Sequence, residues 1–279
     1  MFFFLISVFI FGAYTIYKNI ETKAKKERIF DIAYGSLPSS KMNLFLPENR
    51  NGKTPFIIFI HGGSWLAGDK NDLNDLQNYT LMQGIASANI NYRSVDDKAT
   101  HFTQLLADID SAITYCISHA EEWKTRNTKF TLSGFSAGAH LALLSGYTTS
   151  KQVSAIIALS PVTDLTDIPM WSQTELLPVI YKLTGSTFTE GRLINPEFSA
   201  ASPIFHIKNI PTLLIYGSKD VVVPPNQSLR LQQKLNENKF ENKVISIPGA
   251  PHNLNILEVP ATRLSIYNAL VDWTFKYGK

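Results

Sequence analysis

Cysteine is almost absent from this chain, since Cys116 stands alone among 279 residues. A single thiol excludes an intramolecular disulfide and any cysteine-based metal cluster, and it leaves the redox compartment open. An excess of one charge is also lacking: 26 Lys and Arg face 23 Asp and Glu, for a formal net charge of +3. With no basic block interleaved with aromatic residues, nucleic acid is not an expected partner. Internal repeats and low-complexity stretches are missing as well.

What is present begins with an apolar run. Met1 to Tyr17 is almost wholly apolar and is followed by Lys18, Lys23, Lys25, Lys26 and Arg28. It lies at the short end of the roughly 17 to 25 residues needed to cross a bilayer and is slightly long for a secretory core. No basic residue precedes it and no small-x-small cleavage site follows it. An uncleaved membrane anchor with its basic flank is therefore expected over residues 1–28, and export with a signal peptide is the alternative. The Lys and Arg excess on the C-terminal flank would hold the remainder in the cytoplasm.

With 44% hydrophobic residues, the chain can bury one large two-sided core, and a single catalytic domain is expected over residues 29–279. Ile29 to Tyr34 and Met42 to Leu46, divided by a turn-rich stretch, read as an antiparallel hairpin. Pro55 to Ile60 is continuously apolar, as in a strand covered on both faces. Ala88 to Tyr92, Phe130 to Leu132, Ser154 to Leu159, Thr212 to Tyr216 and Val244 to Ile247 supply further strands. Phe102, Leu105, Leu106, Ile109, Ala112, Ile113, Cys116 and Ile117 form one helical stripe, which makes Cys116 a core thiol. Buried strands alternating with amphipathic helices predict an α/β domain with its functional groups at the carboxyl ends of the strands. Thr163 to Ala201 departs from the alternation and reads either as a small cap lining a pocket or as a long crossover packed on the core.

Gly134-Phe135-Ser136-Ala137-Gly138 joins a strand to a helix through a serine, the turn in which a nucleophile is held in a strained conformation. A plain glycine-rich turn is the competing reading. A nucleophilic serine needs a base, an acid that orients it, and donors for an oxyanion. His252 follows the strand ending at Ile247, and Asp220 follows the preceding strand, giving the chain order Ser, Asp, His. Asp220 could instead cap the helix that begins near Pro225, and His252 could be an exposed loop residue. Asp164, Asp167 and Glu258 are weaker acid candidates, and His101, His119, His140 and His206 are read as structural. The oxyanion donors are assigned to the backbone of Gly63, Ser64 and Ala137, with Gly62 permitting the turn and His61 bracing it.

Together these motifs resemble the α/β-hydrolase superfamily of serine esterases from about Ile29 to the C-terminus. His61-Gly62-Gly63-Ser64-Trp65, Gly68-Asp69-Lys70 and Gly134 to Leu141 look like the carboxylesterases related to acetylxylan/feruloyl esterases and kynurenine formamidases. Ala201-Ser202-Pro203-Ile204 is similar to a segment ahead of the acid-bearing strand in that group. The resemblance implies an α/β-hydrolase fold: a mainly parallel eight-stranded sheet, helices on both faces and a small cap insertion, about residues 163–201, after the sixth strand. It also implies the triad Ser136, Asp220 and His252 and no metal or organic cofactor. Phe135 stands where relatives often carry His or Asp, and Ser64 where lipase-type relatives carry a third glycine.

The segment before the first buried strand is too short for the N-terminal cap of hormone-sensitive-lipase relatives, which argues against long-chain lipids. The expected activity is that of a serine carboxylesterase acting on small-molecule short acyl esters through an acyl-enzyme intermediate. A kynurenine-formamidase-like amide or formamide hydrolase remains open, because the same triad cleaves both bonds. A membrane-tethered binding protein that keeps the fold without turnover is the alternative of another class. A prolyl-oligopeptidase-like peptidase would need a propeller domain for which this length leaves no room.

Overall fold

Phe56, Ile57, Ile58, Phe59 and Ile60 are all fully buried, because they form a central strand with a helical layer on either side. The computed structural model describes residues 24–149 and 153–278. The strands are β1 (Glu27–Ala33), β2 (Lys41–Leu46), β3 (Phe56–Ile60), β4 (Ala86–Ile90), β5 (Phe130–Phe135), β6 (Val153–Leu159), β7 (Thr212–Gly217) and β8 (Asn242–Ile247). They make one eight-stranded sheet in the order β1-β2-β4-β3-β5-β6-β7-β8. The β1 to β2 and β2 to β4 pairings are antiparallel, and every pairing from β4 through β3 to β8 is parallel.

Side chains alternate across the sheet and so build two cores. Phe56, Ile58 and Ile60 enter the larger one with Leu105, Ile109 and Ile113 of helix α2 (Phe102–Ser118), after α1 (Asn74–Met82) in the chain. Leu141 and Leu143 of α3 (Ala137–Thr148) join the same core. Ile57 and Phe59 face the other way and meet Leu76 of α1. Helix α8 (Pro260–Tyr277) contributes Ile266 and Leu270 to that second face, after α4 (Ile168–Trp171), α5 (Leu177–Thr184), α6 (Pro196–Ala200) and α7 (Asn226–Glu237). This is the α/β-hydrolase architecture, with helices on both faces as expected.

Several strand boundaries differ from the sequence reading, β4 and β8 among them. β4 runs over Ala86–Ile90 and not Ala88 to Tyr92, since Ala86 N–H donates to Pro55 O (2.9 Å) and starts the parallel register with β3. Its polar positions Ser87 and Asn89 are fully buried: Gln77 of α1 donates to the carbonyls of Asn43 (2.9 Å) and Ser87 (3.2 Å), and Asn89 Nδ2 donates to Lys70 O (2.9 Å). β8 begins earlier than expected, at Asn242, as an edge strand paired only with β7 among the described residues.

Thr163 to Ala201 lies between β6 and β7 and carries α4, α5 and α6. Ile168, Trp171, Ile180, Leu183 and Phe198 enter the larger core, whereas Leu193 at its far loop is almost fully exposed. Gln227 of α7 fastens its base: Gln227 Oε1 accepts from the backbone N–H groups of Thr163 and Asp164, both at 2.8 Å. The apolar run of Met1 to Tyr17 lies outside the described residues. Among the described residues no helix is long and apolar enough to cross a membrane.

Cys116 faces the core from α2, where burial without a polar partner pushes its thiol up to about 12. A thiol reacts as its thiolate. The folded protein should therefore leave Cys116 untouched by Ellman's reagent at pH 8, and one thiol equivalent should react after denaturation. Fast labelling of the native chain would contradict this packing.

Candidate active site

Five parallel strands, β3 and β5 to β8, end on one edge of the sheet, and the loops leaving that edge carry every candidate site residue. β5 delivers the first. Ser136 sits between β5 and α3 with φ 54° and ψ −118°, outside the regions a non-glycine residue favours. Such a conformation costs on the order of 1–2 kcal/mol and persists only where neighbours over-determine it. Here Ser136 N–H donates to Leu159 O of β6 (2.8 Å), and Ser136 O accepts from His140 N–H (3.0 Å).

The flanking glycines make the turn possible. A Cβ on Gly134 would lie 2.3 Å from the Gly138 carbonyl carbon, and one on Gly138 would lie 2.1 Å from Ile60 O. Neither distance admits a methyl group, so strand, helix and the end of β3 meet backbone to backbone.

His252 stands between the other two residues. Its Nε2 is 2.8 Å from Ser136 Oγ, and its Nδ1 is 2.7 Å from Asp220 Oδ2. The Asp220 carboxylate only accepts, so Nδ1 carries the hydrogen and Nε2 is left to take the serine proton. Asp220 does not cap the helix at Pro225. Its side chain is wholly buried, and Oδ1 accepts from the N–H groups of Val222 and Val223, both at 2.9 Å, which aims Oδ2 at the imidazole. The His252 side chain is 18% exposed, enough for solvent or a ligand to reach it, so it is not a free surface group.

The acid and histidine loops are stitched together. Lys219 N–H donates to Ala250 O (3.0 Å), Gly249 N–H donates to Ser218 Oγ (2.7 Å), and a Cβ on Gly217 would strike Ala250 O at 2.3 Å. Ser160, which sequence reasoning passed over, donates through Oγ to His252 O (2.9 Å) and has φ 48°. Its only sequence signal is its place as the first residue after β6.

The loop after β3 lies against the serine. A Cβ on Gly62 would be 3.0 Å from Phe135 O and 3.5 Å from Ser136 Cβ. Gly63 has φ 110°, and Ser64 and Trp65 follow at 52° and 57°, so three successive residues occupy the left-handed region. The turn is closed by Leu66 and Ala67, whose N–H groups both donate to Gly63 O at 3.0 Å. Among the described residues, the N–H groups of Gly63, Ser64 and Ala137 donate to no backbone acceptor. Ala137 opens α3, where the helix dipole favours a negative charge. His61 braces the loop: its ring stacks on Tyr92 at 4.4 Å, Tyr92 Oη donates to His61 O (2.8 Å), and burial lowers its pKa.

The remaining candidates lie elsewhere. Asp164 and Asp167 both pair with Arg230 and fix the base of the insertion to α7, while Glu258 accepts from Asn253 Nδ2 (3.0 Å). His101 Nδ1 meets Lys182 O (2.8 Å), His119 stacks on Tyr115 and Trp123, and His206 Nε2 meets Ala200 O (3.0 Å). His140 is fully buried, and burial pushes it down to about 4. Among the described residues no group of three or more His, Cys, Asp or Glu is placed to hold a metal ion.

The model of the BD-FAE family matches residues 42–235. A probable isoprenylcysteine alpha-carbonyl methylesterase of Arabidopsis thaliana is 26% identical over 252 residues, which cover 82% of this chain and 52% of the relative. Esterase LipC of Mycobacterium tuberculosis is 23% identical over 248 residues, covering 81% of this chain and 60% of that protein. The chain thus spans about half to three fifths of the length of these curated relatives. Among solved structures, a truncated carbohydrate esterase from gut microbiota has a TM-score of 0.76 at 20% identity, covering 93% of this chain and 98% of that one. An inhibited Esterase B of Lactobacillus rhamnosis has a TM-score of 0.74 at 20% identity and covers 98% of this chain and 95% of that one. At these identities the two structures share the fold.

An unfolded chain protonates His140 near its ordinary value of 6.5, whereas the folded chain resists down to about 4. Between those values the unfolded state binds more protons, so stability present above pH 6.5 is lost as pH falls, on the order of 3 kcal/mol by pH 4. Urea unfolding across this range should show that loss, and His140→Gln should flatten most of it. An unchanged slope in the variant would contradict the assignment.

Proposed function

We propose that this chain, which belongs to the BD-FAE family of α/β-hydrolase esterases, is a serine carboxylesterase acting on short acyl esters through an acyl-enzyme. One observation carries this reading: the unbroken row from Asp220 Oδ2 through both His252 nitrogens to Ser136 Oγ, with links of 2.7 and 2.8 Å. In the proposed reaction His252 Nε2 takes the Ser136 proton as Oγ attacks the ester carbonyl. The buried Asp220 carboxylate orients the imidazole and stabilises its protonated form. The backbone N–H groups of Gly63, Ser64 and Ala137 receive the oxyanion, and His252 returns the proton to the departing alcohol. Water then repeats the sequence and releases the acid. No step calls for a metal or an organic cofactor.

The short-acyl preference is supported by the insertion. Trp171, Ile180 and Phe198 are wholly buried in the core, and Gln227 and Arg230 pin its base, so on this reading it is a fixed segment that would not open for a long acyl chain. The Arabidopsis relative is named as a probable isoprenylcysteine alpha-carbonyl methylesterase, which makes methyl esters a fitting class to test here as well.

The reading includes a membrane tether in Met1 to Tyr17, with the domain on the cytoplasmic side. Glu27 pairs with Leu46, beside the start of β4, so the chain enters the sheet at its amino edge, opposite the site. Arg50 holds that entry by donating to Lys25 O and to the Glu27 carboxylate.

Ser136→Ala should remain folded and lose p-nitrophenyl acetate turnover by about 10⁴-fold or more. A fluorophosphonate should label Ser136 in the parent chain and fail after His252→Ala. Across a series of acyl esters of increasing length, with N-formylkynurenine included, short esters should be hydrolysed fastest. A dominant rate on N-formylkynurenine would transfer the assignment to amide hydrolysis. A parent chain that resists the probe and every ester would leave a binding protein.

For the tether, protease added to vesicles bearing the full chain should digest the domain only in inverted vesicles. Digestion from the outer side of right-side-out vesicles would overturn the cytoplasmic placement.

A further inference from the structure

We propose that His140 is a positioning residue, which locks the oxyanion loop to the closing end of the insertion so that the two move as one body. This inference rests on the serine-esterase reading and adds a residue to it. His140 lies one helical turn beyond Ser136, with its backbone N–H on Ser136 O (3.0 Å), and its side chain is fully buried between two separate elements.

On one side, Trp65 Nε1–H donates to His140 Nδ1 (3.2 Å), and the two rings meet edge to face at 5.2 Å and 84°. On the other side, His140 Nε2 is 2.7 Å from Ala201 O. An indole N–H only donates and a carbonyl only accepts, so these partners fix the ring as neutral, with its hydrogen on Nε2. A protonated ring would set two donors against each other at Trp65. Burial, which pushes this group down to about 4, acts in the same direction.

Each end of the bridge controls something that matters for acyl transfer. Trp65 is the last of the three successive residues with positive φ, directly after Gly63 and Ser64, and its ring is buried. A strained turn keeps its shape only if something beyond the turn holds it. The Val95 N–H bond to Trp65 O (2.9 Å) holds the backbone, and His140 holds the ring. At the other end, Ala201 follows α6, and the adjoining Ser202 Oγ accepts from Leu165 N–H (2.8 Å), which joins the end of the insertion to its start. A displacement of the insertion is therefore transmitted through Ala201 and His140 to the loop that carries the oxyanion donors.

The test is steady-state ester hydrolysis by the full chain and four variants, with circular dichroism and phosphonate titration of Ser136 alongside. His140→Leu should lower kcat about 10- to 100-fold, the scale of a small misplacement of catalytic groups, while KM stays within about threefold. Phosphonate should still reach one equivalent per chain, because the nucleophile and base are intact. His140→Gln, whose amide can both accept and donate, should recover most of kcat. Trp65→Phe keeps a ring and removes only the donor, so it should reproduce the kcat loss. The double variant Trp65→Phe/His140→Leu should be no slower than His140→Leu alone, because one bridge is being cut twice.

Parent-like kcat in both His140→Leu and Trp65→Phe would overturn the proposal, as would additive losses in the double variant. If His140→Leu fails to fold, Trp65→Phe decides by the same criterion. A parent chain without esterase activity would remove the reading on which the proposal rests, a result distinguishable from an active parent with indifferent variants.

Discussion

The contact on which this molecule depends is the approach of the first turn of α3 to the ends of β3 and β5. A methyl group on Gly138 would stand 2.1 Å from Ile60 O, and one on Gly134 would stand 2.3 Å from the Gly138 carbonyl carbon. Three pieces of backbone thus share a space in which no side chain fits. From this contact follows the placement of Ser136 at the carboxyl edge, the opening of α3 at Ala137, and the position of the loop that begins at His61. The cost of the serine's backbone conformation is met locally, by hydrogen bonds to Leu159 and from His140.

Around that contact, polar groups are sorted by what surrounds them. His252 is the histidine with a carboxylate on one nitrogen and a serine hydroxyl on the other. His61 and His140 are buried, and the loss of solvent around the charged ring displaces both downward. The acids divide in the same way. Asp220 is buried and aimed by two backbone N–H groups, whereas Asp164 and Asp167 spend their charge on Arg230. A buried carboxylate with fixed donors is suited to orient an imidazole, and one paired with a guanidinium is suited to tie down a segment.

The insertion between β6 and β7 belongs to this scheme as much as the loops do. Ile168, Trp171, Ile180, Leu183 and Phe198 are part of the main core, its base is fastened by Gln227 and Arg230, and its end reaches His140 through Ala201 O. The insertion and the loop after β3 are therefore joined through one buried histidine.

The unalternating run at Phe56 to Ile60, the helical stripe through Cys116 and the small residues around Ser136 were legible because each is a local pattern with one geometric outcome. Ser136, Asp220 and His252 were legible because each follows a strand in a parallel sheet, and parallel strands end on one edge. β4 was read two residues late, since Ser87 and Asn89 look like surface positions until Gln77 and the Lys70 carbonyl meet them. The role of Ser160, marked only by its place after β6, and the reach of His140 were not legible, because their meaning lies in His252, Trp65 and Ala201, distant in the chain. The sequence by itself determined the periodicities and the glycine positions, which act within a few residues, and the chain order of the candidate residues. Only the tertiary structure decided the tautomers, the burial of Asp220 and the fastening of the insertion, because those depend on partners that meet only once the sheet has closed its two cores.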